Sequence, residues 1–288
     1  MFSIVGPGAI GGVLASALQR SGANVTVVAR PASAERIASY GVTVIDPEGT
    51  HHTKPAVSGV PADGSSVIVA TKAFALADIL PAIAAANPRE VLFLQNGVSH
   101  LPLVHAALPN CDRVACGAIK IVATRGEDGV IRQPFPMRLV EVPDLAAEWA
   151  ITQGLTAAGV DTALGGTESQ VGWRKFRFLG ALALATSWRD APIGPAMDAE
   201  PGVIEAMVAE IAQIATAEGL PSDAKEIVAQ LRALNPEAPS SLWNDIKAGG
   251  PNEFDELGRY LVELAHRHEI SAPTITRAVD AIGARLSA

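Results

Sequence analysis

The chain opens on Met1-Phe2-Ser3-Ile4-Val5-Gly6-Pro7-Gly8-Ala9-Ile10-Gly11-Gly12, and an Ala/Leu-rich helical stretch follows as far as Arg20. A short apolar strand therefore runs straight into Gly6-x-Gly8-x-x-Gly11 and out into a helix. In that context the pattern is the dinucleotide-binding fingerprint. Gly6 permits the tight turn, Gly8 lets the backbone approach a pyrophosphate, and Gly11 lets helix and strand pack closely. Pro7, Ala9 and Ile10 complete the turn. The helix N-terminus adds free N–H groups and partial positive charge for the phosphates. Taken alone, three glycines at this spacing are also compatible with a purely structural turn.

The second strand signal, Asn24-Val25-Thr26-Val27-Val28-Ala29, ends at Arg30. A unit that binds NAD usually carries Asp or Glu near this point for the ribose 2′-hydroxyl. None stands here, and Arg30 offers a planar fork of donors to a 2′-phosphate. Another strand signal, Ser66–Ala70, ends at Thr71-Lys72, which makes Lys72 a second candidate cation. The cofactor expected is NADP(H). The plainer alternative is that both cations are solvated charges at strand ends.

With 288 residues, 49% of them apolar and 18% charged, the chain is long enough for two domains with packed cores. Its net charge of −8 and lack of a basic run argue against a nucleic-acid surface. No apolar run approaches the roughly 18 residues of a membrane span, and the first strand starts at once, with no signal peptide ahead of it. A cytoplasmic enzyme is expected. Cys111 and Cys116 have no further cysteine to join them, and the six histidines fall in no ligand spacing, so no metal site is expected.

Strand signals at 2–6, 24–29, 42–45, 66–70, 91–94 and 114–119 alternate with helical ones at 9–21, 32–40, 74–87 and 99–108. Alternation of this kind implies a mostly parallel sheet with helices on both faces. Ile119–Arg132 reads as antiparallel hairpins extending that sheet, and Pro143-Asp144 as the start of a helix through Leu155, with Asp144 its N-cap. Beyond Gly165-Gly166 the periodicity is helical over 168–188, 200–219, 222–234, 252–268 and 273–286. The fold expected is α/β: a Rossmann-type dinucleotide-binding domain over residues 1–165, then an all-helical substrate domain over residues 168–288. That helical domain could pair with a copy of itself as a homodimer, though no unburied apolar face marks the surface.

Four places could carry chemistry. Gln95-Asn96-Gly97 follows an apolar strand, where the nicotinamide end of the ligand crevice belongs; an ordinary Asn-Gly turn is the alternative. Lys175, in Trp173-Arg174-Lys175-Phe176, could protonate a carbonyl oxygen as hydride reaches the carbon, or be a solvated helix charge. Ser240-Ser241, Asp245 and Asn252-Glu253-Phe254-Asp255 offer a hydroxyl for a substrate and a carboxylate for the lysine, or simply helix caps. Arg189 could hold a substrate carboxylate, although a surface ion pair is the simpler reading.

Together these residues resemble the ketopantoate reductase (2-dehydropantoate 2-reductase) family, over essentially the whole chain. The glycine motif Gly6–Gly12, Arg30 and Lys72 for the 2′-phosphate, Gln95-Asn96-Gly97, Trp173-x-Lys175, and Ser240-Ser241…Asp245…Asn252-Glu253-Phe254-Asp255 fall in the family's order. The resemblance implies Lys175 and Glu253 as catalytic residues, with Asn96 beside nicotinamide and substrate and Ser241 on the substrate. It implies NADPH-dependent reduction of a 2-keto acid carbonyl, 2-dehydropantoate to pantoate in the family, a step of pantothenate biosynthesis. One departure stands out. The family helix usually reads Lys-x-x-x-Asn-x-x-x-Asn, whereas Leu179 and Ala183 follow Lys175 here. These share one helical face, so an apolar strip replaces two amides, and a bulkier, more apolar keto acid, imine or alcohol becomes the alternative substrate. A non-catalytic NADP-binding sensor is the third reading, opposed by the presence of Lys175 and Glu253.

Overall fold

A computed structural model describes residues 1–287. In chain order the first part contains β1 (Phe2–Val5), α1 (Ala9–Arg20), β2 (Val25–Val28), α2 (Pro31–Tyr40), β3 (Val42–Asp46), β4 (Gly49–Thr53), β5 (Ala56–Ser58) and β6 (Ser66–Val69). There follow α3 (Leu76–Ala85), β7 (Glu90–Phe93), α4 (Leu101–Ala107), β8 (Val114–Cys116), β9 (Ala118–Lys120), β10 (Thr124–Arg125), β11 (Ile131–Arg132), β12 (Leu139–Val142), α5 (Ala150–Ala157) and β13 (Asp161–Leu164). The rest is helical: α6 (Glu168–Arg189), α7 (Ile193–Asp198), α8 (Val203–Ala217), α9 (Ala224–Arg232), α10 (Ser241–Lys247), a π turn at Asp255–Arg259, α11 (Tyr260–Arg267) and α12 (Pro273–Leu286). Two compact units result: Met1–Gln95 with His100–Val171, and Asn96–Ser99 with the segment from Gly172 onward.

The first unit is built on a six-stranded sheet in the order β5-β2-β1-β6-β7-β8, every pair parallel. Its central strands are apolar at consecutive positions because both faces are covered. Alternate residues divide between two cores. Ile4, Val27, Ile68 and Leu92 face one with Leu14, while Val5, Val28, Val67, Val69 and Phe93 face the other with Leu76 and Leu80. The chain lays down β2 and then β5 on one flank of β1 before crossing to β6 on the other, so the topological switch point lies at the carboxyl ends of β1 and β6. Gly6 follows β1 directly, and Arg30 and Lys72 lie two and three residues beyond the ends of β2 and β6.

Several expectations need correction. The strand at Val42–Asp46 is not in the parallel sheet; it pairs with β4 as a hairpin and with β11, forming a separate sheet β10-β11-β3-β4. The hairpin β10–β11 therefore does not extend the main sheet, and β9 pairs instead with β12 in a third sheet, β13-β12-β9. Asp144 does not cap a helix. It exchanges bonds with Gly166, and only a short 3₁₀ turn, Asp144–Ala146, precedes α5. Helices α7 and α10 carry too few residues to show a period and lie among prolines, so the sequence does not announce them.

Two buried glutamates begin helices that have no capping side chain of their own. In the first unit Glu90 accepts from Ile151 N at 2.7 Å and Ala150 N at 3.2 Å, holding the start of α5. In the second, Glu210 on α8 accepts from Ile275 N at 2.8 Å and Thr274 N at 3.0 Å, holding the start of α12. A carboxylate there satisfies orphan donors and meets the positive end of the helix. Around Glu210, Ile204, Met207, Val208, Ile211 and Ile214 of α8 are fully enclosed. Among the described residues no helix is long and apolar enough to cross a membrane. Removing the Glu210 cap in Glu210→Ala should lower stability by about 2 kcal/mol, since it strands two buried donors. Glu210→Gln, which keeps one acceptor oxygen, should lose less; urea titration of the two variants checks this.

Candidate active site

The turn after β1 is shaped by what its glycines exclude. Gly6 has φ +91°, and a Cβ there would lie 2.6 Å from Thr71 Cγ2; a Cβ at Gly11 would lie 2.1 Å from the Gly6 carbonyl oxygen. Gly8 is different. Nothing stands within 4 Å of where its Cβ would be, so the backbone borders open space. Gly8 is also the N-cap of α1 and no side chain caps that helix, which leaves its first N–H groups available to an anion. Nearby, Gln95 donates to the carbonyls of Val69 and Thr71 at 3.2 and 3.1 Å. Its Oε1 and the Thr71 Oγ1 are buried with no partner among the described residues. An open glycine turn, an uncapped helix start and the unpartnered Thr71 hydroxyl, which can donate, fit a phosphate-bearing ligand. Arg30, exposed at the end of β2, makes no ion pair among the described residues, and Lys72 is half-buried.

Within the second unit three side chains meet in a line. Lys175 Nζ donates to Asn96 Oδ1 at 2.8 Å, and Asn96 Nδ2 donates to Glu253 Oε2 at 3.3 Å. Residues from distant parts of the sequence are joined by one amide. Glu253 is 2% exposed, and the lysine and asparagine are half-buried.

Each member is positioned by an identifiable local device. Gly97, at φ +81°, turns the chain just after Asn96, and a Cβ there would come within 3.3 Å of the Glu256 carbonyl oxygen. Val98 occupies the space left by the missing side chain of Gly172, whose Cβ would sit 2.8 Å from Val98 Cγ1. On α6, Trp173 and Phe176 are fully buried neighbours with ring centroids 5.1 Å apart, and burial of that face orients the helix that carries Lys175. Glu253 enters through an Asx turn in which Asn252 Oδ1 accepts from Phe254 N at 3.1 Å. The π turn Asp255–Arg259 follows directly, and local widening of this type recurs at functional sites.

Other sequence candidates fare differently. Ala183 is wholly buried at 0% exposure, so it presents no surface to a ligand; only Leu179, half-buried one turn beyond Lys175, remains of the expected apolar strip. Ser241 is exposed in the first turn of α10, whereas Ser240 is the buried cap, accepting from Trp243 N at 3.0 Å and sharing a 2.7 Å bond with Thr186 Oγ1. Arg189 is bound to Glu200 at 2.9 Å and lies over Trp188, as a surface pair. His100, one of the six scattered histidines, begins α4 and is 4% exposed with both ring nitrogens unpartnered among the described residues. Burial pushes its pKa down to about 4, so the ring is neutral near pH 7. The trio Asp46, Glu48 and His51 has ligand-like spacing, but Asp46 is already bound by Arg138 and His51.

A doubly wound parallel sheet with a glycine turn at its switch point, followed by a helical unit holding a lysine, an amide and a carboxylate in series, defines a Rossmann-type protein with a helical C-terminal domain. The chain belongs to the ketopantoate reductase PanE/ApbA family, an oxidoreductase family: its model matches residues 2–145, and the model of its C-terminal part matches residues 169–285. The uncharacterized oxidoreductase YkpB of Bacillus subtilis (strain 168) is 24% identical over 292 aligned positions, covering 95% of each protein. Among solved structures, a PanE/ApbA family ketopantoate reductase from Ralstonia eutropha JMP134 superposes with a TM-score of 0.88 at 20% identity, covering 100% of this chain and 99% of that one. D-mandelate dehydrogenase, in a ternary structure with NADH and anilino(oxo)acetate, superposes with a TM-score of 0.87, also at 20% identity and with the same coverage. These likenesses establish a shared fold.

The geometry sets an expected outcome for Gly97→Ala. It forces an L side chain to positive φ, which costs about 1 kcal/mol or more, and moves Asn96 off Lys175. Turnover should fall further than the loss of stability accounts for, as comparison of initial rates with denaturant midpoints will show.

Proposed function

We propose that this chain is an NADPH-dependent reductase of 2-keto acid carbonyls. The observation that carries the reading is the bonded series Lys175–Asn96–Glu253. An ammonium group held by an amide oxygen, with that amide in turn held by a buried carboxylate, is aimed rather than free to swing. Such an ammonium group can meet the oxygen of a bound carbonyl, stabilise its developing negative charge and deliver the proton that completes the alcohol. Asn96 and Glu253 fix the lysine's direction and keep a negative group close to its charge.

The dinucleotide, when bound, supplies the hydride. The Gly6–Gly11 turn, through Pro7, Gly8, Ala9 and Ile10, and the start of α1 hold its pyrophosphate in this reading. Arg30 and Lys72 take the 2′-phosphate, and Asn96 also serves the nicotinamide end. Ser241 joins Asn96 in positioning the substrate. The absence of an acid after β2 supports NADP over NAD; the dehydrogenase with the similar fold was solved with NADH, so the choice rests on Arg30.

Two substrate readings follow. Ketopantoate, the family's namesake substrate, is one. The other is a bulkier, more apolar 2-keto acid, supported by Leu179 in place of an amide and by the mandelate dehydrogenase likeness. A pocket that has lost a hydrogen-bonding side chain discriminates less for a polar substrate group. NADPH oxidation measured with ketopantoate beside bulkier 2-keto acids and cyclic imines separates them. Turnover of any 2-keto acid supports the reductase; NADPH binding with no turnover across the panel would leave a sensor instead. Ketopantoate as clear best substrate would remove the role given to Leu179.

Lys175→Ala should lower kcat by about a hundredfold or more while NADPH still binds, in keeping with loss of a general acid. Near-normal kcat would take Lys175 out of the mechanism. Arg30→Ala should weaken NADPH far more than NADH in a fluorescence titration, whereas equal weakening contradicts a 2′-phosphate contact.

A further inference from the structure

The hairpin β10–β11 in the first unit lies against the start of α1. Ile131 Cδ1 fills the space where a Gly12 Cβ would sit, only 2.1 Å away, and Gly12 N closes the first turn of α1 onto the Gly8 carbonyl at 3.0 Å. Seated this way, the hairpin brings Arg125 to the glycine turn, where its Nη1 donates to the Pro7 carbonyl at 2.9 Å. Arg36, from α2, reaches the same hairpin and donates to the Gly129 carbonyl at 3.3 Å. Gly129 has φ +76°, the left-handed region that favours glycine.

The two guanidinium groups repel one another. Partial burial and the charge of Arg36 both push the Arg125 pKa down from its ordinary value. Neither arginine has a carboxylate partner among the described residues, whereas Arg132 of the same hairpin and the buried Arg138 each do. Asp128 on the same hairpin is taken by Arg132 at 2.6 Å, and Asp46 is taken by Arg138. A backbone carbonyl uses one of five N–H donors and neutralises no charge, and Arg125 is exposed, so its remaining donors and its charge are open to an anion beside the glycine turn.

We propose that Arg125, seated on the Pro7 carbonyl and backed by Arg36, binds a phosphate oxygen of the dinucleotide, so that the β10–β11 hairpin clasps the cofactor from outside the glycine turn. The inference rests on the cofactor reading above and adds a contact that neither the glycine motif nor Arg30 supplies. Phosphate is the chemistry recognised. The pyrophosphate is common to NADPH and NADH, and the 2′-phosphate belongs to NADPH alone.

The test is direct binding, read from reduced-nicotinamide fluorescence and by calorimetry, on wild type, Arg125→Gln and Arg36→Ala. Arg125→Gln keeps a donor for Pro7 but no charge, so its unliganded melting temperature should match wild type. Its affinity for both NADPH and NADH should fall about tenfold or more, as expected for a charge-assisted phosphate bond. Equal loss for both nucleotides places the contact on the pyrophosphate; loss for NADPH alone places it on the 2′-phosphate. Unchanged affinity for both, in variants that fold normally, overturns the clasp and leaves the cofactor reading intact. Failure of wild type to bind either nucleotide overturns both.

Discussion

The side-chain amide of Asn96 is the interaction on which the rest of the site depends. Its oxygen faces an ammonium group and its NH₂ faces a carboxylate, so its orientation is set by both neighbours at once. A nearly buried carboxylate such as Glu253 is costly without donors, and a half-buried lysine is mobile without an acceptor. The Asn96 amide contributes to both, because it carries an acceptor and a donor on one short, planar group. The devices around it serve that placement: the positive-φ Gly97, the Val98 methyl set into the Gly172 gap, the Trp173–Phe176 contact and the Asn252 turn. None of these touches the Lys175 ammonium group, yet each helps set where the three side chains lie.

Under the proposed function the first unit faces a different problem, that of holding a highly charged ligand with a chain whose net charge is −8. Its positive features are local. The uncapped start of α1, the open space at Gly8, Arg30 after β2, and Arg125 on the Pro7 carbonyl all border the switch point of a sheet buried on both faces. The sheet is stiff because its strands carry apolar side chains toward two cores. The polar surface is therefore confined to strand ends and loops, where open parallel sheets carry their ligands.

Much of this was legible in the sequence because the signals were local or periodic. The turn Gly6–Gly11 requires adjacent residues of special conformation, and the core strands read as continuous apolar runs. Lys175, Glu253 and Asn96 were identifiable from motif context, but their arrangement in series, with the amide in the middle, depends on contacts between residues far apart in the chain. Spacing carries no record of the Glu90 and Glu210 caps for the same reason. The second sheet was misread because Val42–Asp46 has the apolar pattern of a core strand while its partner β4 is Gly-Thr-His-His-Thr, which lacks one. Ala183 is fully buried, and helical phase alone cannot tell a ligand-facing position from a packed one. Arg125 was passed over because a hairpin arginine looks like a solvated charge until the turn beneath it is seen.

The central claim, that Lys175 acts through an orientation imposed by Asn96, is tested most directly by a double-mutant cycle on kcat with Lys175→Ala, Asn96→Ala and the double variant. If the two residues act as a unit, the double variant should be about as slow as Lys175→Ala alone, because the amide has nothing left to orient. If the two losses multiply, each side chain contributes on its own, and the bonded series is a structural feature rather than the source of the chemistry.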